Sequence, residues 1–406
     1  MREYLLRLVY VEMLGHDASF AYIHVVNACS DKNWILKKVG YLATTLFLNE
    51  ESEYIIMLVN TIMKDLQDDN HLVVCTALHA LCKLIHNDTI SGFMPLVLKA
   101  LSHPKELVKK KAVMVLHRFL QIRPSLREEL DKPLRKMLCD NDPSVMSAAL
   151  CALHEVIRES PGPYKNLVPS FVSILKQVAE HRLPKAYDYH KTPAPFIQIK
   201  LLKILAKLGE GDKAASEHIY SVLSDVMRRA NSGHTIGNAV VYEAVRTVTA
   251  IYPNAVLLQS AAEMVSTFLR SSSHNLKYIG VDSLSAVVAI NPKYVQEQQM
   301  VVIDCLEDPD ESLKRKTLEL LYKMTKPNNV EVIVERMLNY LSTATDPHSK
   351  AETSSRIAEL AERYAPDNDW FIEVMNSVFK MGGDCVDPSL GNNIMRIVAE
   401  GAGDDS

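Results

Sequence analysis

One apolar spacing, repeated along the chain, decides most of what it can fold into. After the turn residues Asp142-Pro143 come Val145, Ala149, Ala152, Leu153 and Val156: an anchor, a small residue four later, then apolar residues at seven, eight and eleven. At 3.6 residues per turn these share one helix face. The same template fits Leu36, Gly40, Ala43, Thr44 and Phe47; Val73, Ala77, Ala80, Leu81 and Leu84; and Val108, Ala112, Val115, Leu116 and Phe119. Downstream it fits Ile197, Leu201, Ile204, Leu205 and Leu208; Val240, Ala244, Thr247, Val248 and Ile251; Leu276, Gly280, Ser283, Leu284 and Val287; and Leu313, Thr317, Leu320, Leu321 and Met324. A shorter copy near Lys350 has Ser354, Ile357, Ala358 and Ala361.

The anchors stand 37, 35, 37, 52, 43, 36 and 37 residues apart. A period near ~40 belongs with helical-pair repeats of the HEAT and armadillo type. One pair cannot bury its stripe alone, so stacking must supply the core. The expected fold is therefore all-α, a HEAT/armadillo-like right-handed helical solenoid running through residues 1–406 as a single trunk. The small residue of the template is expected to let the second helix of one pair approach its neighbour closely. Turn signals fall between the stripes at Asp68-Asp69-Asn70, His103-Pro104, Asp140–Pro143, Ser271–Asn275 and Asp308–Asp310. The one long spacing holds His181–Pro195, whose three prolines exclude a continuous helix. A proline-rich insertion loop over 181–195 follows, serving as a contact site or a spacer.

Charge adds little: Lys+Arg 45 against Asp+Glu 49 leaves −4, with no global basic field of the kind nucleic acid attracts. Seven cysteines, odd in number and without paired spacing, suggest a reducing compartment. Arg2 and Glu3 open a charged helix instead of a secretory signal. Apolar runs such as Ile55–Val59 fall short of the roughly 20 residues a membrane span needs. Membrane contact is expected to be peripheral. Both ends read as cut, and residues 400–406 read as a flexible acidic tail.

Sites for chemistry are scarce. His71, Cys75, His79, Cys82 and His86 lie on one helical stripe, but the first and last are roughly 22 Å apart at the helical rise. One zinc needs ligands about 2.0–2.3 Å away, so the stripe reads as thiols and half-exposed imidazoles, and no metal or cofactor is expected. His181 and His190 flank the proline loop without a nucleophile motif. Gly209–Lys213 (GEGDK) lacks the phosphate-loop pattern. Asp308, Asp310 and Glu311 suit helix capping. No catalytic residue is assigned. Basic blocks at Lys37-Lys38, Lys109–Lys111 and Lys314–Lys316 follow their anchors, as solvated helix starts or as a basic ladder for an acidic partner.

Between the repeats, a set of segments resembles the large subunits of heterotetrameric adaptor protein complexes. They are Met13–Phe20 (MLGHDASF), Gly40–Glu50 (GYLATTLFLNE), Lys64–Asn70 (KDLQDDN), Leu167–Val178 (LVPSFVSILKQV), Ile236–Glu243 (IGNAVVYE), His274–Leu284 (HNLKYIGVDSL) and Ala361–Ile372 (AERYAPDNDWFI). In this order they cover essentially the whole chain. Tyr187–Leu205 and Cys305–Thr325 look most like the epsilon class of the fourth adaptor complex, with gamma and alpha classes of the clathrin adaptor complexes as alternatives.

The resemblance implies an adaptin trunk acting in intracellular protein transport and cargo sorting. Its implied partners are a beta-type large chain, a medium (mu) chain, a small (sigma) chain and an Arf-type small GTPase. Its implied location is cytoplasmic, peripheral on trans-Golgi network and coated-vesicle membranes. Ile23, Val26 and Met57 match apolar positions that dock the GTPase in the gamma class. Arg2 and Arg7 match two positions of a phosphoinositide site in the alpha class, although Glu3 replaces a basic residue there. The family trunk starts earlier and continues later, into a hinge and an ear that have no counterpart in these 406 residues. An importin-like cargo carrier is the other reading of such repeats. It predicts a regular aromatic or acidic lining, and Trp34 and Trp370 are the only tryptophans.

Overall fold

The computed structural model describes residues 1–396 apart from Glu50, Ser232 and Asn393, and only the backbone of residues 295–297. The tail expected at 400–406 lies outside the described residues. Two compact units divide the chain, Met1–Leu208 and Gly209–Ser406. The first contains α1 (Arg2–Met13), α2 (Tyr22–Cys29), α3 (Trp34–Phe47), α4 (Tyr54–Asp65), α5 (His71–Leu84), α6 (Ile90–Ala100), α7 (Glu106–Ile122), α8 (Arg127–Leu138), α9 (Pro143–Glu159) and α10 (Val168–Ala179), with α11 (Pro195–Gly209) at its end. The second contains α12 (Lys213–Ala230), α13 (Thr235–Ala250), α14 (Ala255–Leu269), α15 (His274–Ile290), α16 (Tyr294–Asp304), α17 (Glu311–Met324), α18 (Val330–Thr343), α19 (Pro347–Tyr364) and α20 (Asn368–Gly382). Among the described residues, extended pairing is confined to an isolated bridge between Tyr189 and Thr192.

The template predicts the odd-numbered helices from α3 onward. In the first unit α3 packs on α5, α5 on α7 and α7 on α9, while α2, α4, α6 and α8 each lean on the helix that follows. In the second unit α13, α15, α17 and α19 form the same row, backed by α12, α14, α16 and α18. Every template residue of the eight full copies is buried except the anchors Leu36 and Leu276, which are half-buried. Burial of a leucine or valine contributes about 1.5–3 kcal/mol, so this seam is the dominant stabilising feature of each unit.

At its two glycine copies the small residue makes its closest approach to the preceding helix and not, as the sequence suggested, to a neighbouring pair. A Cβ on Gly40 would lie 2.8 Å from the Cys29 nitrogen and 2.9 Å from the Ala28 carbonyl carbon, on the helix just before it in the chain. On Gly280 it would meet Leu269 of α14, again the preceding helix. The close approach is within a pair.

Local hydrogen bonding explains where the template helices start. Asn33, Asn70, Asp142 and Asp310 cap them, their side chains accepting from the N–H groups of Ile35, Leu72, Ser144 and Leu313 at 2.8–3.0 Å. Two residues before each cap, Asp31, Asp68, Asp140 and Asp308 accept the N–H of the cap residue itself at 2.7–3.1 Å. His103 and Ser271 do the same for Lys105 and Ser273, at 3.0 and 3.2 Å. All six lie five residues before an anchor. The four acidic turns are thus built from side chain to backbone twice over before the helix begins, whereas those at His103 and Ser271 have only the first of the two bonds.

The long spacing is a loop between α10 and α11, containing a 3-10 turn at Lys185–Tyr187. His181, His190, Lys191 and Ala194 have φ of 58, 46, 65 and 33°, a left-handed region that costs side-chain-bearing residues of order 1 kcal/mol each. Its anchorage offsets that strain. The Tyr187 hydroxyl reaches Asp142 at 3.3 Å, the Gln198 amide donates to the Pro193 carbonyl at 2.6 Å, and Thr192 and Ala194 are buried.

Candidate interaction surfaces

Of the residues matched to GTPase docking, Met57 on α4 is 52% exposed and its neighbour Ile56 is 77% exposed. Ile23 on α2 is half-buried, and Val26 is 4% exposed, with its side chain in the interior. The helices α2 and α4 pack together, so Ile23 and Met57 belong to one pair of adjoining helices. Val26 sits one helical turn from Ile23 but turns toward the core, a consequence of α2 being enclosed by both α3 and α4. Arg2 and Arg7 are exposed on α1, where Arg7 is paired with Glu3 at 2.6 Å.

The basic blocks have an internal role that the sequence did not reveal. Lys109 on α7 donates to Asp140 of the turn before α9 at 2.8 Å, and Lys277 on α15 donates to Asp308 of the turn before α17 at 2.7 Å. Arg315 on α17 reaches Asp346 before α19 at 2.9 Å. Each pair spans 31 residues. Lys37 on α3 reaches Asp65 at the end of α4 at 2.5 Å, and Asp65 also accepts from the buried Tyr41 hydroxyl at 2.7 Å. Lys316 turns to Asp282 at 3.1 Å and Glu319 at 3.4 Å. These cations link one pair to the next, so that Lys37, Lys109, Arg315 and Lys316 of the supposed ladder are paired within the fold.

Burial opposes ionisation of Asp308. The Lys277 hydrogen bond, the Asp310 N–H and the nearby His274 outweigh it and hold the carboxyl below its ordinary range. Tyr41 shows the opposite effect: burial first, then its bond to Asp65, pushes the phenol far upward.

Of the histidine–cysteine stripe, His79 is exposed, His71 and Cys82 are half-buried and Cys75 is buried, while His86 lies beyond the end of α5. Among the described residues no three His, Cys, Asp or Glu side chains converge as metal ligands would. Burial raises the Cys75 and Cys82 thiols and, together with Lys111 and Lys83, lowers the His79 imidazole. Farther along the row His154 is held down to about 4, by burial first and then by Lys200. All seven cysteines are unpaired. Among the described residues no helix is long and apolar enough to cross a membrane.

Comparison with known proteins fits this architecture. Residues 1–402 match the family model of the adaptin N-terminal region. The AP-4 complex subunit epsilon of Arabidopsis thaliana is 56% identical over 405 residues, covering all of this chain and 43% of the relative. The human AP-4 complex subunit epsilon-1 is 44% identical over 406 residues, covering all of this chain and 36% of the relative. Identity drops to 27% for the AP-1 complex subunit gamma of Dictyostelium discoideum, over 97% of this chain and 44% of that one. The chain therefore spans less than half the length of these curated relatives. A chain in a homology model of the full-length AP-3 complex in an intermediate open conformation superposes with a TM-score of 0.65, covering 97% of this chain and 71% of that one at 22% identity, which shows the shared fold. With the repeat seam, the ordered segments between repeats and these likenesses in agreement, the chain belongs to the adaptin family of adaptor-complex large subunits, on the side of the AP-4 epsilon subunits.

Proposed function

We propose that this chain is the trunk of an epsilon-type subunit in a vesicle adaptor complex, a non-enzymatic scaffold in cargo sorting at the trans-Golgi network. The observation that carries the reading is identity to AP-4 epsilon subunits over the whole chain, at 56% in one case, against 27% for a gamma subunit. A packed row of helices with its apolar template turned inward leaves its outer faces for other chains. The partners in this reading are a beta-type large chain, a mu chain and a sigma chain. Co-expression of the chain with these three, followed by size-exclusion chromatography, tests it: a stable four-chain complex is expected, and failure of the mu and sigma chains to co-elute would overturn it.

An Arf-type GTPase docks, in this proposal, on the α2–α4 face through Met57 and the accessible part of Ile23. Val26 contributes by supporting α2 from within. Met57→Glu is expected to abolish GTP-dependent binding with the thermal midpoint unchanged, whereas Val26→Glu lowers that midpoint. Binding by Met57→Glu equal to the unaltered chain would remove this face from the site. A phosphoinositide at Arg2 and Arg7 would have to displace Glu3 from Arg7. Liposomes carrying phosphatidylinositol bisphosphate are the check, with equal binding by Arg2→Gln/Arg7→Gln removing those residues.

A further inference from the structure

Across α3, α5 and α7 the outer face of the template row holds a groove of about 380 Å³. These are the odd-numbered helices, whereas Ile23 and Met57 belong to the even-numbered ones. Trp34 and Leu42 of α3 and Leu107 of α7 line the groove while remaining 38%, 43% and 45% exposed. These three large apolar side chains are left partly open around one concavity and so form a cluster instead of scattered single exposures. Leu72 and Cys75 of α5 form part of the lining between them.

The groove is charged with one sign. Lys38 and Lys111 line it, and no carboxylate does. The charges acting on its His79 are Lys111 and Lys83, both cations, and those acting on Cys82 farther along the stripe are Arg118, Lys111 and Lys83. Unlike Lys109, Lys111 is not drawn into a rung to the next turn. An apolar trough edged by lysines complements a segment that presents large apolar side chains along one side and carboxylates beside them. A lipid surface fits less well, because the apolar groups line a concavity.

We propose that this groove seats an acidic amphipathic segment of a partner protein, its apolar side chains between Trp34, Leu42 and Leu107 and its carboxylates against Lys38 and Lys111. The surface is separate from the proposed GTPase face and does not depend on it. Its capacity suits two or three large side chains, the range of small binding clefts. Affinity is salt-sensitive because the lysines are near solvent.

The test uses the full chain and fluorescein-labelled peptides read by anisotropy. One peptide carries leucines at helical spacing with glutamates elsewhere, one has lysines in place of the glutamates, and one has serines in place of the leucines. The first binds, weakening with salt, and the other two do not. Lys111→Glu and Leu107→Gln each weaken binding about tenfold or more, the equivalent of 1.4 kcal/mol, while Met57→Glu leaves it unchanged. Lys38→Gln, a milder surface change, gives a smaller loss and guards against misfolding of the others. Equal binding of the lysine peptide, or unchanged binding in all three groove variants, overturns the proposal. So does concentration-dependent self-association abolished by Leu107→Gln, which would assign the groove to a second copy. Binding of phosphatidylserine vesicles lost in Lys111→Glu, without peptide binding, would assign it to a membrane and also overturn it.

Discussion

Replacing Gly40 with alanine separates intrinsic helix preference from the demands of close packing. In an isolated helix the change is favourable by about 1 kcal/mol. Here the new methyl would stand 2.8 Å from the Cys29 nitrogen and 2.9 Å from the Ala28 carbonyl carbon, about 0.6 Å short of ordinary contact. Both are backbone atoms of α2, so no side chain can rotate away. The helix must move, and it is itself held by the buried Val25, Val26 and Cys29. Overpacking of this kind costs about 1–3 kcal/mol, leaving a net loss of up to about 2 kcal/mol after the helix gain. For a unit of this size that corresponds to a fall of up to roughly 8 °C in thermal midpoint.

Gly280 provides the internal comparison. A Cβ there would meet the Leu269 side chain and nitrogen at 3.1 Å, a gap that a leucine tip and a small shift can open. Gly280→Ala is therefore expected within about 0.5 kcal/mol of neutral, the packing cost roughly cancelling the propensity gain. Differential scanning calorimetry reads the midpoints, and hydrogen exchange of the α2 and α3 amides locates the damage. A Gly40→Ala variant that melts higher than the unaltered chain, with α2 protection intact, would refute the close-approach argument.

Removing Asp65 should be severe, because it strands the Tyr41 hydroxyl and leaves Lys37 mostly enclosed: Asp65→Ala is expected to cost about 3 kcal/mol and Lys37→Met about 1, both read by urea midpoints. Asp308→Ala should cost about 2 kcal/mol, less than Asp65→Ala because Lys277 can turn to solvent, and equal losses would contradict that ordering. Acid should weaken the first unit through His154. Its folded value of about 4 lies below the ordinary 6.5, so the unfolded chain takes up the proton first. The contribution is complete above pH 6.5 and is lost as pH falls from there toward 4. Solvent screening limits it to on the order of 1 kcal/mol, and His154→Gln should flatten urea midpoints across that window; an unchanged slope would remove His154 from the account.

The seam was legible because it is local: five positions within twelve residues report one helix face, and tertiary context scarcely alters them. Turn positions were legible for the same reason. The rungs were not, since Lys109 and Asp140 or Lys277 and Asp308 mean nothing until the repeat brings residues 31 apart together. An alignment of the chain on its own repeats would have shown an acidic residue recurring five places before the anchor. Val26 illustrates a different obstacle. Most of α2 is apolar, and only the placement of α3 and α4 decides that Ile23 faces partly outward and Val26 inward. The groove was obscured because Cys75 and His79 drew attention to metal chemistry, while its walls come from three separate helices, α3, α5 and α7. The aromatic lining expected of a carrier-type repeat had no counterpart in the letters, and the family match now accounts for the repeats without it.

A surface of methyl groups carries few landmarks along its length. Two helices joined by leucines and valines can slip with modest loss, since dispersion is indifferent to direction. A lysine reaching one particular aspartate is not indifferent. Lys109, Lys277 and Arg315 act as index pins, each fixing the offset of one helix against the start of the next but one. Interior leucines could then be exchanged for methionines with little disturbance of alignment. Displacing a single turn aspartate by one position would instead let every later pair in that unit settle out of step.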